Sequence, residues 1–325
     1  MRTRATPRGL QLTELGLGAA QLGNLFRVTT EQETVETVDT AWNAGIRYFD
    51  TAPHYGLGLS ERRLGEQLRS RPRDEYVVST KVGRLLVPTP ETADQRDTEG
   101  YDVPADPTRV WDFSRDGILR SVEASLERTG LDRFDILYLH DPENHFEQAS
   151  TEGIGALIEL REQGVVSAVG AGMNYAEPLA ELIRRADIDL VMCAGRFTLL
   201  DDTAVADLLP LAQERGVGVV AAGVYNSGLL SKPRPAADAM FDYQPAPADL
   251  LARTNAVADV CERHGVTLPE AAIAYVYRHP AVVNVVLGAR GGRQVQSNVD
   301  RAATEIPDEV WRELADAGLI PAAFA

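Results

Sequence analysis

Four side chains capable of proton chemistry follow β-rich segments in the first half of this sequence. Asp50, Lys81 and His140 each end a run of β-branched and aromatic residues, and Tyr55 stands five positions after Asp50. Taken singly, an Asp in such a place commonly caps a turn, and a Lys there is commonly solvated. Three consecutive strands that bring a titratable group to the same end of a sheet indicate an active site.

These residue types favour proton transfer coupled to the reduction of a carbonyl or the oxidation of an alcohol. A phenol has an ordinary pKa of about 10, which is too high for easy proton exchange near neutral pH. A nearby ammonium lowers the pKa of a phenol, and a carboxylate keeps that ammonium charged and oriented. A His beside the phenol can direct the substrate oxygen. The hydride must travel to or from a cofactor, because no side chain supplies one.

The elements that must position these residues alternate along the chain, which indicates βαβ units and a parallel sheet. Eight such units favour an α/β fold closed as a (β/α)8 TIM barrel. An open sheet would carry a G-x-G-x-x-G turn after its first strand, and this sequence lacks that spacing. The predicted strands are 15–18, 47–50, 76–81, 134–140, 165–170, 190–193, 217–222 and 282–287. The predicted helices are 35–44, 59–69, 116–129, 154–162, 177–185, 203–215 and 250–264.

Two predicted connections are long. One covers residues 83–114, after the third strand, and the other covers residues 226–249, after the seventh strand. Both follow carboxyl ends of strands, the face where active sites of such barrels lie. We expect them to cover the substrate and the cofactor. No linker of biased composition divides the chain, so we expect a single barrel domain over residues 1–325.

The composition of the chain argues against several kinds of binding partner. The formal net charge of −16 repels phosphate backbones and anionic lipids, which argues against nucleic-acid and membrane partners. The polar, basic start of the chain predicts no secretory signal. Two cysteines, Cys193 and Cys261, are too few for a disulfide framework, and the five histidines show no metal-ligand spacing. We expect a cytoplasmic monomer that acts on a small-molecule substrate without a metal.

Several segments carry a family resemblance. Residues 49–56 read F-D-T-A-P-H-Y-G and residues 60–65 read S-E-R-R-L-G. Together with S-T-K ending at Lys81 and L-H ending at His140, they resemble the aldo-keto reductase signature. The resemblance implies a nicotinamide cofactor, with Tyr55 as proton donor or acceptor. It also implies that Lys81 and Asp50 tune Tyr55, and that His140 orients the substrate.

The same resemblance implies a set of cofactor contacts. Asn174 would hold the nicotinamide carboxamide, and Tyr225 would stack on the nicotinamide ring. Arg290 is compatible with the 2′-phosphate of NADP or with stacking on adenine, so NAD and NADP both remain open. The full expected set is Asn174, Tyr225, Ser227, Gly228, Leu230, Gly288, Arg290, Gln294 and Asn298.

The sequence departs from many family members in two places. Met173 precedes Asn174 where many members carry Ser, and Gly195–Phe197 stands where many carry a Gln. This combination resembles one bacterial branch, which includes L-fucose (D-threo-aldose) 1-dehydrogenases and pyridoxal 4-dehydrogenase. An aldose dehydrogenase would recognise sugar hydroxyls through polar and aromatic loop residues. The candidates for that role are His54, Trp111, Arg196, Tyr101 and Asp112.

Three alternatives to an aldose dehydrogenase that forms a lactone remain open at this point. The chain is also compatible with a pyridoxal 4-dehydrogenase or with a general aldehyde or ketone reductase, because sequence does not assign the direction of hydride transfer. A non-catalytic regulatory protein that binds the cofactor belongs to another class. The intact set of Asp50, Tyr55, Lys81 and His140, hereafter the tetrad, argues against it.

Overall fold

A closed barrel of parallel strands forms the centre of the molecule. The computed structural model describes residues 1–242 and 244–325, and within them eight strands pair in chain order until the eighth meets the first. The strands are β1 Leu15–Gly18, β2 Tyr48–Asp50, β3 Val77–Val82, β4 Ile136–His140, β5 Ala168–Met173, β6 Leu190–Ala194, β7 Gly218–Ala222 and β8 Val282–Gly288. The (β/α)8 barrel predicted from the sequence is confirmed.

Helices connect the strands and cover the barrel. They are α1 Glu31–Asn43, α2 Leu59–Leu68, α3 Arg115–Thr129, α4 Ile154–Glu162, α5 Ala176–Arg185, α6 Leu208–Arg215, α7 Ala248–Arg263, α8 Leu268–Val276, α9 Gly292–Ala303 and α10 Asp308–Asp316. The short helix Phe146–Gln148 and the π-helical turn Ala149–Gly153 lead into α4. Among the described residues, no helix is long and apolar enough to cross a membrane.

Two predicted helix boundaries are wrong for identifiable reasons. Helix α1 begins at Glu31, earlier than predicted, because the side chains of Thr30 and Glu33 form a capping box. Helix α6 was predicted from residue 203 and begins only at Leu208. The ring of Pro210 occupies its first turn, which is tolerated there, but in a longer helix it would clash with the carbonyl of Ala206.

Strand β5 lies about three residues later than predicted, and this shift matters for the site. The N–H of Val165 still bonds to the carbonyl of Leu160, at 2.9 Å, and so completes the turn after α4. Gly170 lets the strand pass close to its neighbour, since a Cβ there would lie 1.7 Å from the carbonyl oxygen of Leu190. The strand therefore ends at Met173, which places Asn174 at the mouth of the barrel.

The barrel interior is packed below the site, and a chain of hydrogen bonds runs through it to Asp50. Leu12, from the amino-terminal hairpin of Thr3–Ala5 and Gln11–Thr13, is fully buried among the inward side chains. The hydroxyl of Tyr48 lies 3.1 Å from Ser79 Oγ, which donates to Asp50 Oδ1 at 2.7 Å. Burial raises the pKa of Tyr48 well above its ordinary value, so this phenol stays protonated. The carboxylate of Asp50 is therefore held by a hydrogen bond from a fixed, uncharged group.

The connection after β3 is built as a structured wall. Its ends pair as an antiparallel hairpin, Arg84–Val87 with Thr108–Trp111. A buried ion pair holds the middle of this connection in place, since Arg109 Nη1 lies 2.5 Å from Asp97 Oδ1. Arg109 also donates to the carbonyl oxygen of His54, at 3.0 Å. This connection is therefore anchored to the turn that carries Tyr55.

The connection after β7 is held differently. It contains two short paired strands, Met240–Phe241 and Gln244–Pro245. Arg196, which follows β6, reaches Asp242 of this connection at 2.7 Å and Asp201 at 2.8 Å. Both connections predicted to be long are therefore present on the expected face of the barrel.

Candidate active site

Neighbouring strand ends bring the tetrad together at the carboxyl end of the barrel. Lys81 Nζ lies 2.9 Å from Tyr55 Oη and 2.6 Å from Asp50 Oδ2. A third hydrogen bond from the ammonium reaches the carbonyl oxygen of Thr51, at 3.1 Å. The side chains of Lys81 and Asp50 are 2% and 3% exposed, so the ion pair is shielded from water. The buried ammonium is placed to stabilise negative charge on the oxygen of Tyr55.

Tyr55 is positioned by a tight turn between β2 and α2. Gly56 follows it with a φ of 63°, a left-handed conformation that favours glycine. A Cβ at Gly56 would lie 2.1 Å from the carbonyl oxygen of Gly23. The turn can therefore pack directly against the loop after β1, and this contact fixes the direction of the phenol.

His140 faces Tyr55 from the end of β4. The two rings are perpendicular, with centroids 5.7 Å apart. Burial, followed by the charges of Arg84 and Lys81, lowers the pKa of His140 well below its ordinary value. Its Nδ1 is buried and has no hydrogen-bond partner among the described residues, whereas Nε2 lies 3.6 Å from Asp141 Oδ2. We assign the proton of the neutral ring to Nε2, which can then donate to a substrate oxygen.

A cavity of about 640 Å³ opens above these residues. A volume of this size suits a small substrate together with the reacting end of a cofactor. His54 lines the same cavity, with its ring centroid 5.5 Å from that of His140. Burial lowers the pKa of His54 to about 2, so this ring is also neutral. The remaining wall includes Gln21, Glu99, Tyr101, Asp141 and Asn174.

A second cavity, a groove of about 860 Å³, adjoins the first. The two cavities share Gln21, Phe26 and Gly288 in their walls. The groove collects residues from the connection after β7 and from α9, the two regions that the sequence assigned to the cofactor. Of the expected residues, it is lined by Tyr225, Ser227, Gly228, Gly288, Gln294 and Asn298. The hydroxyl of Tyr225 donates to Asn298 Oδ1, at 3.2 Å, and so ties the two regions together.

Comparison with known proteins identifies the family of this arrangement. The profile of the Aldo/keto reductase family matches residues 14–318. The chain belongs to the aldo-keto reductase family. It is therefore an oxidoreductase of a family that uses nicotinamide cofactors.

Individual relatives of this aldo-keto reductase cover nearly its whole length. The chain is 48% identical to a D-threo-aldose 1-dehydrogenase from Pseudomonas sp, over 98% of this chain and 97% of the relative. It is 39% identical to a pyridoxal 4-dehydrogenase from Microbacterium luteolum, over 96% of each. A solved aldo-keto reductase from Bacillus halodurans, in its holo form, superposes with a TM-score of 0.72, at 27% identity and over 100% of both chains.

Several residues expected at the site of this reductase stand elsewhere. Trp111 lies on the hairpin behind the cavity wall, 40% exposed. Arg196 is engaged by two carboxylates and by the carbonyl oxygen of Asn174, at 2.7 Å. Arg290 donates to Thr29 Oγ1 at 2.8 Å and to the carbonyl oxygen of Leu25, so its guanidinium faces the loop after β1.

Two further expectations also differ. Leu230 is fully buried in the core beneath the connection after β7, where it supports the groove without lining it. Asp112 accepts hydrogen bonds from Ser114, at the start of α3, and pairs with Arg120 at 2.6 Å. Its carboxylate therefore holds Ser114, the N-cap residue of the helix, in place.

Sequence reasoning missed polar residues that the structure places at the cavity and at the groove. Asp141 lines the cavity and receives a hydrogen bond from Arg84. Gln21 lines both cavities, and Arg301 lines the groove with its guanidinium 5.8 Å from the ring of Tyr225. Asp141 had a detectable signal, because it directly follows the strand that ends in His140. Arg84 had none, because the hairpin that carries it was not predicted.

Proposed function

We propose that this aldo-keto reductase oxidises an aldose at its anomeric carbon and releases a lactone, with NAD+ or NADP+ as hydride acceptor. The observation that carries the proposal is the contact of Tyr55 with the buried Lys81–Asp50 pair inside a cavity whose wall is rich in polar groups. The relative named as a D-threo-aldose 1-dehydrogenase supports an aldose as the substrate.

In this proposal Tyr55 accepts the proton of the anomeric hydroxyl. The ammonium of Lys81, 2.9 Å away, stabilises the negative charge that Tyr55 must carry in order to act as a base. Asp50 holds that ammonium in place, and the hydroxyl of Ser79 holds Asp50. The support is therefore already assembled before the substrate binds, and little reorganisation is needed during the reaction.

His140 orients the substrate in the proposed reaction. A neutral imidazole with its proton on Nε2 donates a hydrogen bond to the anomeric oxygen and directs that oxygen toward Tyr55. The anomeric C–H bond breaks as hydride leaves, the C–O bond becomes a carbonyl, and the proton passes to the Tyr55 oxygen. The aldose is oxidised by two electrons, and the product is the lactone.

The groove has the properties that a dinucleotide requires. Gln21 Oε1 and Asn226 Oδ1 are buried in its wall and have no hydrogen-bond partner among the described residues, so a bound ligand could satisfy them. Lys232 and Arg301 supply positive charge along the groove. A dinucleotide held in this groove, with its nicotinamide end in the adjoining cavity, would supply the hydride chemistry. We propose that Asn174, in the adjoining cavity, contacts its carboxamide.

The test is an absorbance assay for reduced nicotinamide with the purified protein. NAD+ and NADP+ are supplied separately, with L-fucose, L-galactose and D-arabinose as substrates. The proposal expects rapid reduction with at least one aldose and a lactone as product, and the assay also settles the cofactor preference. No reduction with any aldose, in a protein that binds the dinucleotide, would overturn the proposal.

A second candidate substrate is pyridoxal, which the 39% identical relative is named for. The same tetrad would oxidise its aldehyde carbon in the cyclic hemiacetal form, in which the hemiacetal hydroxyl passes its proton to Tyr55, the hydride passes to the cofactor and a lactone results. Pyridoxal in the same assay separates the two candidates. Oxidation of pyridoxal without oxidation of any aldose would select it.

A further inference from the structure

A second ion pair, between Asp141 and Arg84, stands beside the tetrad, and the proton chemistry of Tyr55 does not use it. Asp141 directly follows β4, and its side chain lines the same cavity as the tetrad. Arg84 donates through Nη2 to Asp141 Oδ2, and this oxygen lies 3.6 Å from Nε2 of His140. The carboxylate is therefore adjacent to the place where the reacting oxygen must bind.

The Asp141 carboxylate keeps one oxygen for a ligand. Its hydrogen bond from Arg84 is made to Oδ2, and within the described part of the chain Oδ1 accepts no hydrogen bond from the protein. The backbone of Asp141 is fixed by a left-handed φ of 43° and by an N–H donated to the carbonyl oxygen of Gly172, at 3.0 Å. The side chain, 23% exposed, thus leaves the strand end in a defined direction.

Aromatic side chains hold Arg84 in place on the side that faces away from the cavity. Its guanidinium lies 4.2 Å from the ring centroid of Trp111, a cation–π contact. Trp111 in turn stacks on Phe113, with centroids 5.8 Å apart, and its ring lies tilted against that of His145, with centroids 5.3 Å apart. The side chain of Arg84 is 8% exposed, so it is confined between the ring and the carboxylate. This packing positions Asp141 from outside the cavity.

The chemistry of this pair points to a hydroxylated ligand. Replacing a buried ion pair by apolar residues is commonly neutral or stabilising, so stability alone does not account for one in a cavity wall. An ionised carboxylate is a strong acceptor for hydroxyl donors. Because Oδ2 of this carboxylate lies 3.6 Å from the His140 nitrogen, the other oxygen, Oδ1, belongs to a group next to the reacting carbon and is placed to accept from the substituent on the adjacent carbon. In an aldose that substituent is the C2 hydroxyl.

We propose that Asp141 binds the C2 hydroxyl of the aldose and so determines specificity, with Arg84 and Trp111 as positioning residues. This inference rests on the proposed function and adds to it the part of the sugar that the enzyme recognises. It also explains the use of Trp111, which contacts Arg84 and does not reach the cavity.

The experiment is a thermodynamic cycle in which the Asp141 carboxylate is removed from the protein and the C2 hydroxyl is removed from the sugar. The best aldose and its 2-deoxy analogue are compared by kcat/KM in the wild type and in the double variant Asp141→Leu, Arg84→Met. Replacing both partners avoids leaving Arg84 buried without a counter-charge. We expect the wild type to prefer the parent sugar by about 10- to 100-fold and the double variant by less than about threefold. Any intrinsic difference in reactivity between the two sugars is the same in both proteins and cancels.

Controls separate recognition from folding. Dinucleotide affinity and Tm of the double variant report whether the barrel is intact. Glu143→Gln removes a carboxylate from the same loop that does not line the cavity, and it should keep the wild-type preference. An unchanged preference in the intact double variant overturns the inference and leaves the aldose dehydrogenase proposal standing. A wild type that oxidises no aldose overturns both.

Discussion

Two of the ion pairs at the mouth of this barrel, Lys81–Asp50 and Arg84–Asp141, differ in depth and in what they face. The Lys81–Asp50 pair is 2% and 3% exposed, and its ammonium donates to Tyr55. The Arg84–Asp141 pair is 8% and 23% exposed, and its carboxylate faces the cavity. In Lys81–Asp50, hereafter the inner pair, the cation contacts the residue that transfers the proton. In Arg84–Asp141, hereafter the outer pair, the anion is the member available to a ligand.

This difference separates chemistry from recognition. The inner pair acts on Tyr55, so every substrate should depend on it equally. The outer pair acts on a substituent of the substrate, so only substrates with that substituent should depend on it. Variants of the two pairs should therefore differ in which kinetic constant changes, as well as in the size of the change.

The largest effect is expected for the inner pair. Lys81→Met removes the charge that stabilises the Tyr55 oxygen, and we expect kcat to fall by about 10²- to 10⁴-fold. The loss should be similar for an aldose and for a simple aldehyde reduced in the opposite direction. Steady-state kinetics with both substrates, beside dinucleotide binding as the control for folding, measure it. A loss confined to the aldose would remove the distinction between the pairs.

A pH effect is expected next, from the outer pair. Burial raises the pKa of Asp141 to about 6, against the opposing charges of Arg84 and Lys81. The carboxyl is ionised above that pH and protonated below it, and only the ionised form is a full acceptor. We expect kcat/KM for the aldose to fall by up to about tenfold per pH unit below pH 6.

The comparison protein for this pH profile is Asp141→Asn, which cannot titrate at that position. Its kcat/KM should be low and should lack the acidic limb that Asp141 causes. The neighbouring His140 is neutral throughout this range, because burial lowers its pKa well below the ordinary value. An acidic limb that persists unchanged in Asp141→Asn would assign it to another group.

The smallest effect is expected for Trp111, which packs against Arg84 of the outer pair. Trp111→Ala removes the ring against which Arg84 is packed, a contact worth about 0.5–2 kcal/mol. We expect KM for the aldose to rise by about three- to tenfold with little change in kcat, since the tetrad is untouched. Val110→Ala, at the preceding exposed position of the hairpin, is the matched control. Equal effects of the two variants would show that only the hairpin fold was disturbed.

The inner pair could be predicted from sequence and the outer pair could not. Asp50 and Lys81 each end a strand that the β-rich pattern locates, and barrel geometry then brings strand ends together. Arg84 and Asp141 are 57 positions apart, and they meet only because a hairpin folds back after β3. No local pattern encodes that hairpin, so the place of Asp141 directly after β4 was detectable in the sequence, whereas its pairing with Arg84 was not.

Predictions for single loop residues show the same limit. Trp111 was expected to contact the substrate and instead packs on Arg84, one layer behind the cavity. Arg196 was expected in the same role, but two carboxylates and a carbonyl oxygen already engage it. Both residues were correctly placed in connections on the active-site face, whereas the contacts of each side chain depend on how these connections fold and pack.

The most direct test of the account is the rate of lactone formation by Tyr55→Phe with the best aldose. The account predicts that this variant binds the dinucleotide as the wild type does and loses about 10²- to 10⁴-fold in kcat, because the proton acceptor is gone. Turnover at the wild-type rate, with lactone as the product, would contradict the role of Tyr55 and with it the proposed reaction.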